Sequence, residues 1–407
     1  MDPLDVILHK HDVIPFYQAV FSADAQEIVG YEIHGRLNVG VEWLSLENFF
    51  SDQNVPAEYK WEVDSVIQER VLTHYASMEE SALLFLNVDA NVLTELNVHE
   101  TLLERLLEFE RQAVPLENVV LNFREHDFKG EIESLSHLIK FFTTNNIQVA
   151  IDDIGKFGSN LDRLSILEPN MMKVDLGGIG SHHFSNDYRN VLEALAVFSR
   201  KIGATLLFKG IIDLHHLHLA WRYGGRYVTG DYLHKPEKNW TNKQIAKPKL
   251  EDKIKSFIRH ENGLLQEQIA FVLQLDRDLH QVEKEHGPRL NEDEKAYEIA
   301  KHLSKLAYRV YICDGFGYQL SCNWIKNKSN DQWEKDPSAK GKNWSWRSYF
   351  LENLAQMEGR KVGILSDTYR DIKTNELIRT YSYPLAGKQF VFLDLDPSFL
   401  FEQDWLL

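Results

Sequence analysis

Cysteine is nearly absent: Cys313 and Cys322 are the only two in 407 residues. That excludes a disulfide framework and points to a reducing compartment, the cytoplasm. Positive charge is also scarce, with 45 Lys and Arg against 61 Asp and Glu and a formal net charge of −16. A nucleic-acid polymer demands a basic footprint, so general DNA or RNA binding is excluded. A small phosphate ligand held by a few local cations is not. No apolar run is long enough to span a bilayer, and the opening Met1-Asp2-Pro3 lacks the basic and apolar segments of a secretory signal. The histidines show no HxxEH-type spacing; His215, His216 and His218 read as helix-start and surface residues, not zinc ligands. Internal repeats and low-complexity segments are lacking too.

What is present suits two or three globular domains. Up to about residue 235, short apolar runs (83–88, 119–123, 149–152, 171–174, 205–208) alternate with helical patterns (59–75, 101–111, 131–143, 188–201). That rhythm predicts a mainly parallel sheet covered by helices, and its length favours a (β/α) barrel. In such barrels chemistry sits at the C-terminal strand ends. Asn87, Asn122, Asp152 with Asp153, Lys173 and Lys209 all fall there. One alone reads as a turn or cap residue; their recurrence at one end of successive strands does not.

We divide the chain into a barrel (1–245), a long linker helix (246–287) and a smaller α+β domain (288–407). In the helix, Ile258, Leu265, Val272 and Leu279 recur every seven residues, joined by Leu275 and Val282. This predicts either a seam between subunits or packing on its own domain, with Glu261 and Gln268 interrupting the pattern. Gly287-Pro288 ends it. Beyond lie a predicted hairpin over 308–324 around Asp314-Gly315-Phe316-Gly317, a short helix over 344–356, and strands at 377–383 and 389–395 joined by a turn at 384–388. Cys313 and Cys322, on opposite hairpin arms, read as buried packing residues.

One series of motifs runs in order along the first part of the chain: Gln18-Ala19; Glu32-Ile33-His34-Gly35-Arg36; Asn87; Asn122-Phe123-Arg124-Glu125; Asp152-Asp153-Ile154-Gly155; Lys173-Val174-Asp175; Lys209-Gly210-Ile211-Ile212; and Thr229-Gly230-Asp231 with Pro236. No single one is specific. Together they resemble the EAL family of cyclic di-GMP phosphodiesterases, bacterial signalling proteins. The second part, with Asn343-Trp344-Ser345-Trp346-Arg347 and Arg379-Thr380-Tyr381-Ser382-Tyr383-Pro384, is similar to the PAS-like domain of YkuI-type EAL proteins. The resemblance implies a TIM-like barrel, a long helix, a PAS/Cache-like sensory domain and a homodimer. It implies Glu32, Asn87, Asn122, Asp152 and Asp153 as ligands of Mg²⁺ or Mn²⁺, with Ca²⁺ as an inhibitory substitute. It places Lys173 near the phosphate or the nucleophilic water, and Gln18, Arg36, Asp175 and Pro236 around the dinucleotide.

The departures from that pattern carry as much weight. Asn122 stands where the family has a glutamate ligand, Lys209 where it has a catalytic glutamate, and Ile212 where it has a second. The local charge changes by about four units. Lys209 is placed either to pair with Asp153 or Glu32 in a metal's stead or to hold a phosphate. Burial near metals is the route by which its pKa would fall enough for base function. His34, Thr229 and Asp231, and Lys156-Phe157-Gly158 in the loop that couples active dimers to their metals, also depart from the pattern. Three readings stand: a non-hydrolysing cyclic di-GMP receptor or regulator, a working phosphodiesterase with weakened metal affinity, and an interaction scaffold with a plugged barrel mouth. In the second domain, Trp344, Trp346, Arg347, Tyr349, Tyr381 and Asp394 suit a small zwitterion, with Arg347 clamping its carboxylate and Asp394 its amine. The alternative there is an ordinary aromatic core.

Overall fold

The computed structural model describes residues 2–40, 42–155, 160–177, 186–286, 289–347 and 350–406. The chain forms two compact units, Met1–Ile254 and Lys255–Leu407. The long helix, Lys247–His286, begins in the first and belongs mostly to the second. Among the described residues no helix is long and apolar enough to cross a membrane.

The first unit carries β1 (Val13–Ser22), β2 (Ile28–Val39), β3 (Glu42–Ser45), β4 (Leu83–Asn87), β5 (Val119–Phe123), β6 (Gln148–Ile154), β7 (Met171–Asp175), β8 (Thr205–Lys209) and β9 (Tyr227–Thr229). The order β1-β9-β8-β7-β6-β5-β4-β2, with β1 also paired to β2, closes a barrel; β3 lies on β2 outside the ring. β1 runs antiparallel to both neighbours, and the other ring pairs are parallel. Parallel neighbours need crossovers. These are supplied by helices that include Ala57–Ala76, His99–Glu110, Ile132–Thr143 and Asn186–Ile202. The first buries Val63, Ile67, Val71 and Tyr75, an i, i+4 stripe that lies on the barrel.

The barrel interior shows why these strands place chemistry where they do. Val20, Phe85, Val120, Ala150, Met171 and Leu207 form one buried apolar cluster, contributed by six different strands. Side chains alternate across a strand with period two, so the residue two further on also points inward. Two beyond Phe85, Val120, Ala150, Met171 and Leu207 stand Asn87, Asn122, Asp152, Lys173 and Lys209. On antiparallel β1 the count reverses and leads from Val20 to Gln18. The apolar layer is the floor; the polar residues are the layer above it.

In the second unit the strands are β10 (Ala307–Asp314), β11 (Asn323–Lys326), β12 (Trp333–Asp336), β13 (Ile364–Leu365), β14 (Tyr369–Arg370), β15 (Leu377–Ile378), β16 (Thr380–Leu385) and β17 (Gln389–Leu395). A six-stranded antiparallel sheet runs β12-β11-β10-β17-β16-β13. Val310, Ile312, Tyr381, Val391 and Leu393 pack with Leu275, Leu279 and Val282 of the long helix and with Ala296, Ile299 and Ala300 of helix Glu292–His302. The opposite face, with Tyr311, Cys313, Phe390 and Phe392, packs on Phe350, Leu354 and Met357 of helix Phe350–Arg360.

Two expectations need correction. The seven-residue repeat is not one seam: Leu275, Leu279 and Val282 are core residues of the second unit, whereas Ile258 and Leu265 are more than half exposed. The repeat changes role along its length because the sheet lies only against the later turns. The hairpin expected over 308–324 closes around Asp314–Gly317 with an isolated Cys313–Gln319 bridge, and its ladder with β10 resumes at Trp324. The helix expected from 344 starts at Phe350, where the apolar 350, 354, 357 spacing begins. Cys313 and Cys322 are both buried and free. Lys156-Phe157-Gly158, Gly287-Pro288 and Tyr349 lie outside the described residues.

Candidate functional site

At the C-terminal end of the strands, two lysines are laced between three carboxylates. Lys173 Nζ lies 2.7 Å from Glu32 Oε1 and 3.1 Å from Asp152 Oδ2. Lys209 Nζ lies 2.8 Å from Asp152 Oδ1 and 2.7 Å from Asp153 Oδ1. Both oxygens of Asp152 therefore face an ammonium group. Three carboxylates against two ammonium groups leave one net negative charge. Burial alone would raise the Asp152 carboxyl, but Lys173 and Lys209 together outweigh it and hold the pKa below the carboxylate range. For Lys209, burial opposes the charge, while Asp152, Glu32 and Asp153 overcome it and raise the pKa above the ordinary lysine value. The expected route to base function, a lowered lysine pKa, therefore runs in the wrong direction.

The backbone is bent to build this cluster. Consecutive strand residues point to opposite faces, so Asp153 should face away from Asp152. Instead the β6–β7 register shifts between Ile151 and Ile154, and Asp153 adopts the left-handed region at φ +58°. Its N–H donates to Asp152 Oδ1 at 2.6 Å, and its carboxylate turns to Lys209. A non-glycine residue there costs about 1–3 kcal/mol, and such strain concentrates at functional sites. After Lys209 the chain must turn sharply past β7. Gly210, at φ +71°, allows it: a Cβ would sit 2.4 Å from Gly177 N.

On the other side of the barrel axis, Asn122 Nδ2 donates to Asn87 Oδ1 at 3.1 Å, and Asn87 Nδ2 donates to the Ile33 carbonyl at 3.0 Å. Asn122 Oδ1 is buried and receives no hydrogen bond. A cavity of about 260 Å³ opens over this layer, touching Glu32, Asn87, Asn122, Asp152, Asp153 and Lys209. The plug expected of a scaffold is therefore missing. His34 also lines the cavity, and burial holds its imidazole below the usual range.

Gln18, Arg36, Asp175 and Pro236 do not line this cavity. Gln18 is buried and its amide donates to the His234 carbonyl, while Tyr17 pairs with Glu237, so Gln18 and the Pro236 segment do meet. Arg36 lies 5.9 Å from the Phe16 ring centre, and Asp175 Oδ1 accepts from Gly177 N. Lys173 is fully buried beneath Glu32 and Asp152. Thr229 bonds the Ala19 carbonyl, Asp231 is exposed, and Glu125 pairs with Arg163.

Sequence reasoning missed the outer wall of the cavity. Lys60, Trp61, Asp64 and Gln68 on helix Ala57–Ala76, with Asp89 and Asn91 beyond β4, line it. Lys60, Asp64 and Gln68 stand at i, i+4, i+8, a polar stripe beside the buried apolar one, and that was the available signal. Burial pushes the Asp64 carboxyl up to about 7, with Arg105 and Gln68 opposing.

The second unit does not assemble the expected zwitterion site. Asp394 is fully buried and committed: Arg309 Nε donates to its Oδ2 at 2.5 Å and Thr380 Oγ1 to its Oδ1 at 2.5 Å. Tyr381 pairs across with Leu393, so it faces the other side of the sheet, where its hydroxyl donates to Asp276. Arg347 lies 4.9 Å from the Trp344 ring centre, beside a gap of about 10 Å³. Such a gap has room for about one water, not for an amino acid.

Does the donor set suit divalent cations? Glu32, Asp152 and the amide oxygens of Asn87 and Asn122 are hard oxygen donors, and the unpartnered Asn122 Oδ1 is an acceptor awaiting a positive partner. On the Asp153 side the fit fails, because Lys209 Nζ already stands between the two aspartates. Among the described residues no three His, Cys, Asp or Glu side chains are grouped to grip an ion.

Comparison with known proteins agrees with this architecture. Residues 3–236 match the EAL domain, and residues 240–407 match the EAL-domain associated signalling protein domain. The chain is 39 % identical over 409 aligned positions to the uncharacterised EAL-domain protein YkuI of Bacillus subtilis strain 168, covering all of both chains. The crystal structure of that protein, in complex with cyclic di-GMP and calcium, superposes with a TM-score of 0.94 over the full length of both. A probable cyclic di-GMP phosphodiesterase, PdeD of Escherichia coli K12, is 23 % identical over 56 % of this chain and 42 % of its own. An EAL-domain protein of Listeria monocytogenes EGD-e shares the fold at 17 % identity, TM-score 0.51, over 58 % of this chain and 94 % of its own. With more than half its length in the EAL match and a full-length relative of the same two-part build, the chain belongs to the EAL-domain family and is a YkuI-type EAL protein.

Proposed function

We propose that the barrel binds a cyclic dinucleotide of the cyclic di-GMP class without hydrolysing it, so that the protein acts as a receptor or regulator. The observation that carries this reading is the Lys209 ammonium between Asp152 and Asp153, where the family resemblance puts a catalytic glutamate. Hydrolysis needs a group that takes a proton from water, and a lysine held protonated has no lone pair to offer. Asn122 and Ile212 remove two further carboxylates, and Ile212 is 51 % exposed, away from the cluster. Binding is supported by the open cavity and by the presence of cyclic di-GMP in the crystal structure of B. subtilis YkuI.

Glu32, Asn87, Asn122 and Asp152 are the residues that would hold a divalent ion on the Asn122 side, where its charge would offset that of a phosphodiester. The second unit supplies a signalling module, in which Asp394 and Tyr381 are committed to the fold and would not hold a ligand.

The test is calorimetric titration of cyclic di-GMP into the full chain, with Ca²⁺ or Mg²⁺ and then with EDTA, while chromatography watches for the linear dinucleotide. Micromolar or tighter binding without product supports the receptor. Product that disappears in Asp152→Asn would restore the enzyme reading, and no binding under any condition would leave the scaffold.

A further inference from the structure

We propose that the Lys209 ammonium is a tethered replacement for one of two divalent cations, so that the barrel mouth takes at most one metal ion. The inference rests on the reading of the barrel as an EAL site stripped of carboxylates. Asp152 and Asp153 are adjacent carboxylates turned to the same side at the expense of a left-handed backbone at Asp153. Like charges so placed repel strongly where water is scarce and need a positive charge between them. Lys209 Nζ stands there, 2.8 Å and 2.7 Å from the two oxygens. The lysine arrives from β8 with Gly210 behind it, and Gly210 tolerates the close approach to Gly177 that a larger residue would not. The ammonium thus occupies the electrostatic position of a bridging ion, on a side chain that cannot diffuse away.

Charge counting limits the rest of the site. The cluster carries one net negative charge. One divalent ion turns that into a single positive charge, suited to a phosphodiester. Two would leave a net charge of about plus three, the two ammonium groups included. The side with capacity left is marked by Asn122 Oδ1, a buried acceptor without a donor, on β5, which is separated from Lys209 on β8 by β6 and β7. One vacancy for positive charge and one tethered cation replace a pair of metals.

The experiment counts bound Mn²⁺ on metal-stripped full-length protein by electron paramagnetic resonance of the free ion, with no nucleotide present. The parent and Lys209→Arg should each bind no more than one equivalent, and Lys209→Glu should bind one equivalent more than the parent. Lys209→Met guards against misfolding of the charge-reversed variant: Mn²⁺ should raise its melting temperature more than it raises the parent's. Two equivalents on the parent, an unchanged count in folded Lys209→Glu, or equal Mn²⁺ shifts in the parent and Lys209→Met would overturn the proposal. Because nucleotide is absent, a failure to bind cyclic di-GMP would strike the receptor reading and leave this count untouched.

Discussion

Two buried charge clusters, one in each unit, have the same net charge and opposite characters. In the second unit Arg309 sits between Asp394 and Asp371, at 2.5 Å and 2.6 Å. Asp371 Oδ2 accepts from the backbone of Lys373 and Thr374, and Thr380 completes Asp394. The sheet ladder fixes the geometry, Thr380 pairing with Asp394 and Arg309 with Asp394 on either side of β17. In the barrel, Lys209, Glu32, Asp152 and Asp153 face a cavity above the buried Lys173, with a strained backbone and an unpartnered amide oxygen beside them. The lesson is that burial of charge does not by itself mark function. A cluster whose carboxylates are all met by donors, with no left-handed residue among its members, locks a fold. One that keeps an open face, an orphaned acceptor and an off-pattern dihedral is built to meet something else.

The sharpest way to break the comparison is to remove one member from the closed cluster. Asp394→Ala leaves the Arg309 guanidinium half-paired in a sealed core and should cost about 3–5 kcal/mol. Urea denaturation followed by tryptophan fluorescence should show the second unit unfolding early. If the loss is below about 1 kcal/mol, the cluster is not the lock described here. In the open cluster the same kind of change should cost less, because Lys173 still faces Asp152. Lys209→Met should destabilise the barrel by about 1–3 kcal/mol, read by the same titration. Asp153→Asn should cost less again, about 1 kcal/mol, since asparagine tolerates the left-handed region and only one ion pair is lost.

The smallest expected effect concerns pH, because Asp64 is only half-buried and water discounts the full pKa difference. The Asp64 carboxyl is held at about 7 in the folded chain, against about 3.9 unfolded. Its folded pKa is the higher one, so the folded state binds the proton more tightly between these values. The stability this provides is fully present below the unfolded value and is lost as pH rises through about 7. Asp64→Asn should abolish that loss and raise the melting temperature relative to the parent by about 2–4 °C at pH 8, with little difference at acid pH. A difference independent of pH would mean that Asp64 is not held protonated.

Much of the barrel was legible because its strands are buried on both sides and read as short apolar runs. The 119–123 run is β5, and the 171–174 and 205–208 runs each gain one polar end residue. The site residues stand at or just inside the strand ends, so the period-two step from Phe85 to Asn87 or from Leu207 to Lys209 was readable in the sequence. The wall made by Lys60, Asp64 and Gln68 was not, because a polar stripe on a helix ordinarily faces water. Its partners in the cavity come from strands and loops distant in sequence. The zwitterion site failed for a related reason: aromatic and charged residues were grouped by type, whereas the ladder puts Tyr381 and Asp394 on opposite faces of one sheet.

The sequence by itself determined the barrel and the α+β unit, which follow from local periodicity, and the family, which follows from the order of its motifs. It left open whether Lys209 would face a phosphate, Glu32 or Asp153. Only the tertiary structure decided that it bridges Asp152 and Asp153. The choice depends on a register shift in β6 and a left-handed residue at 153, which no local pattern of side chains announces.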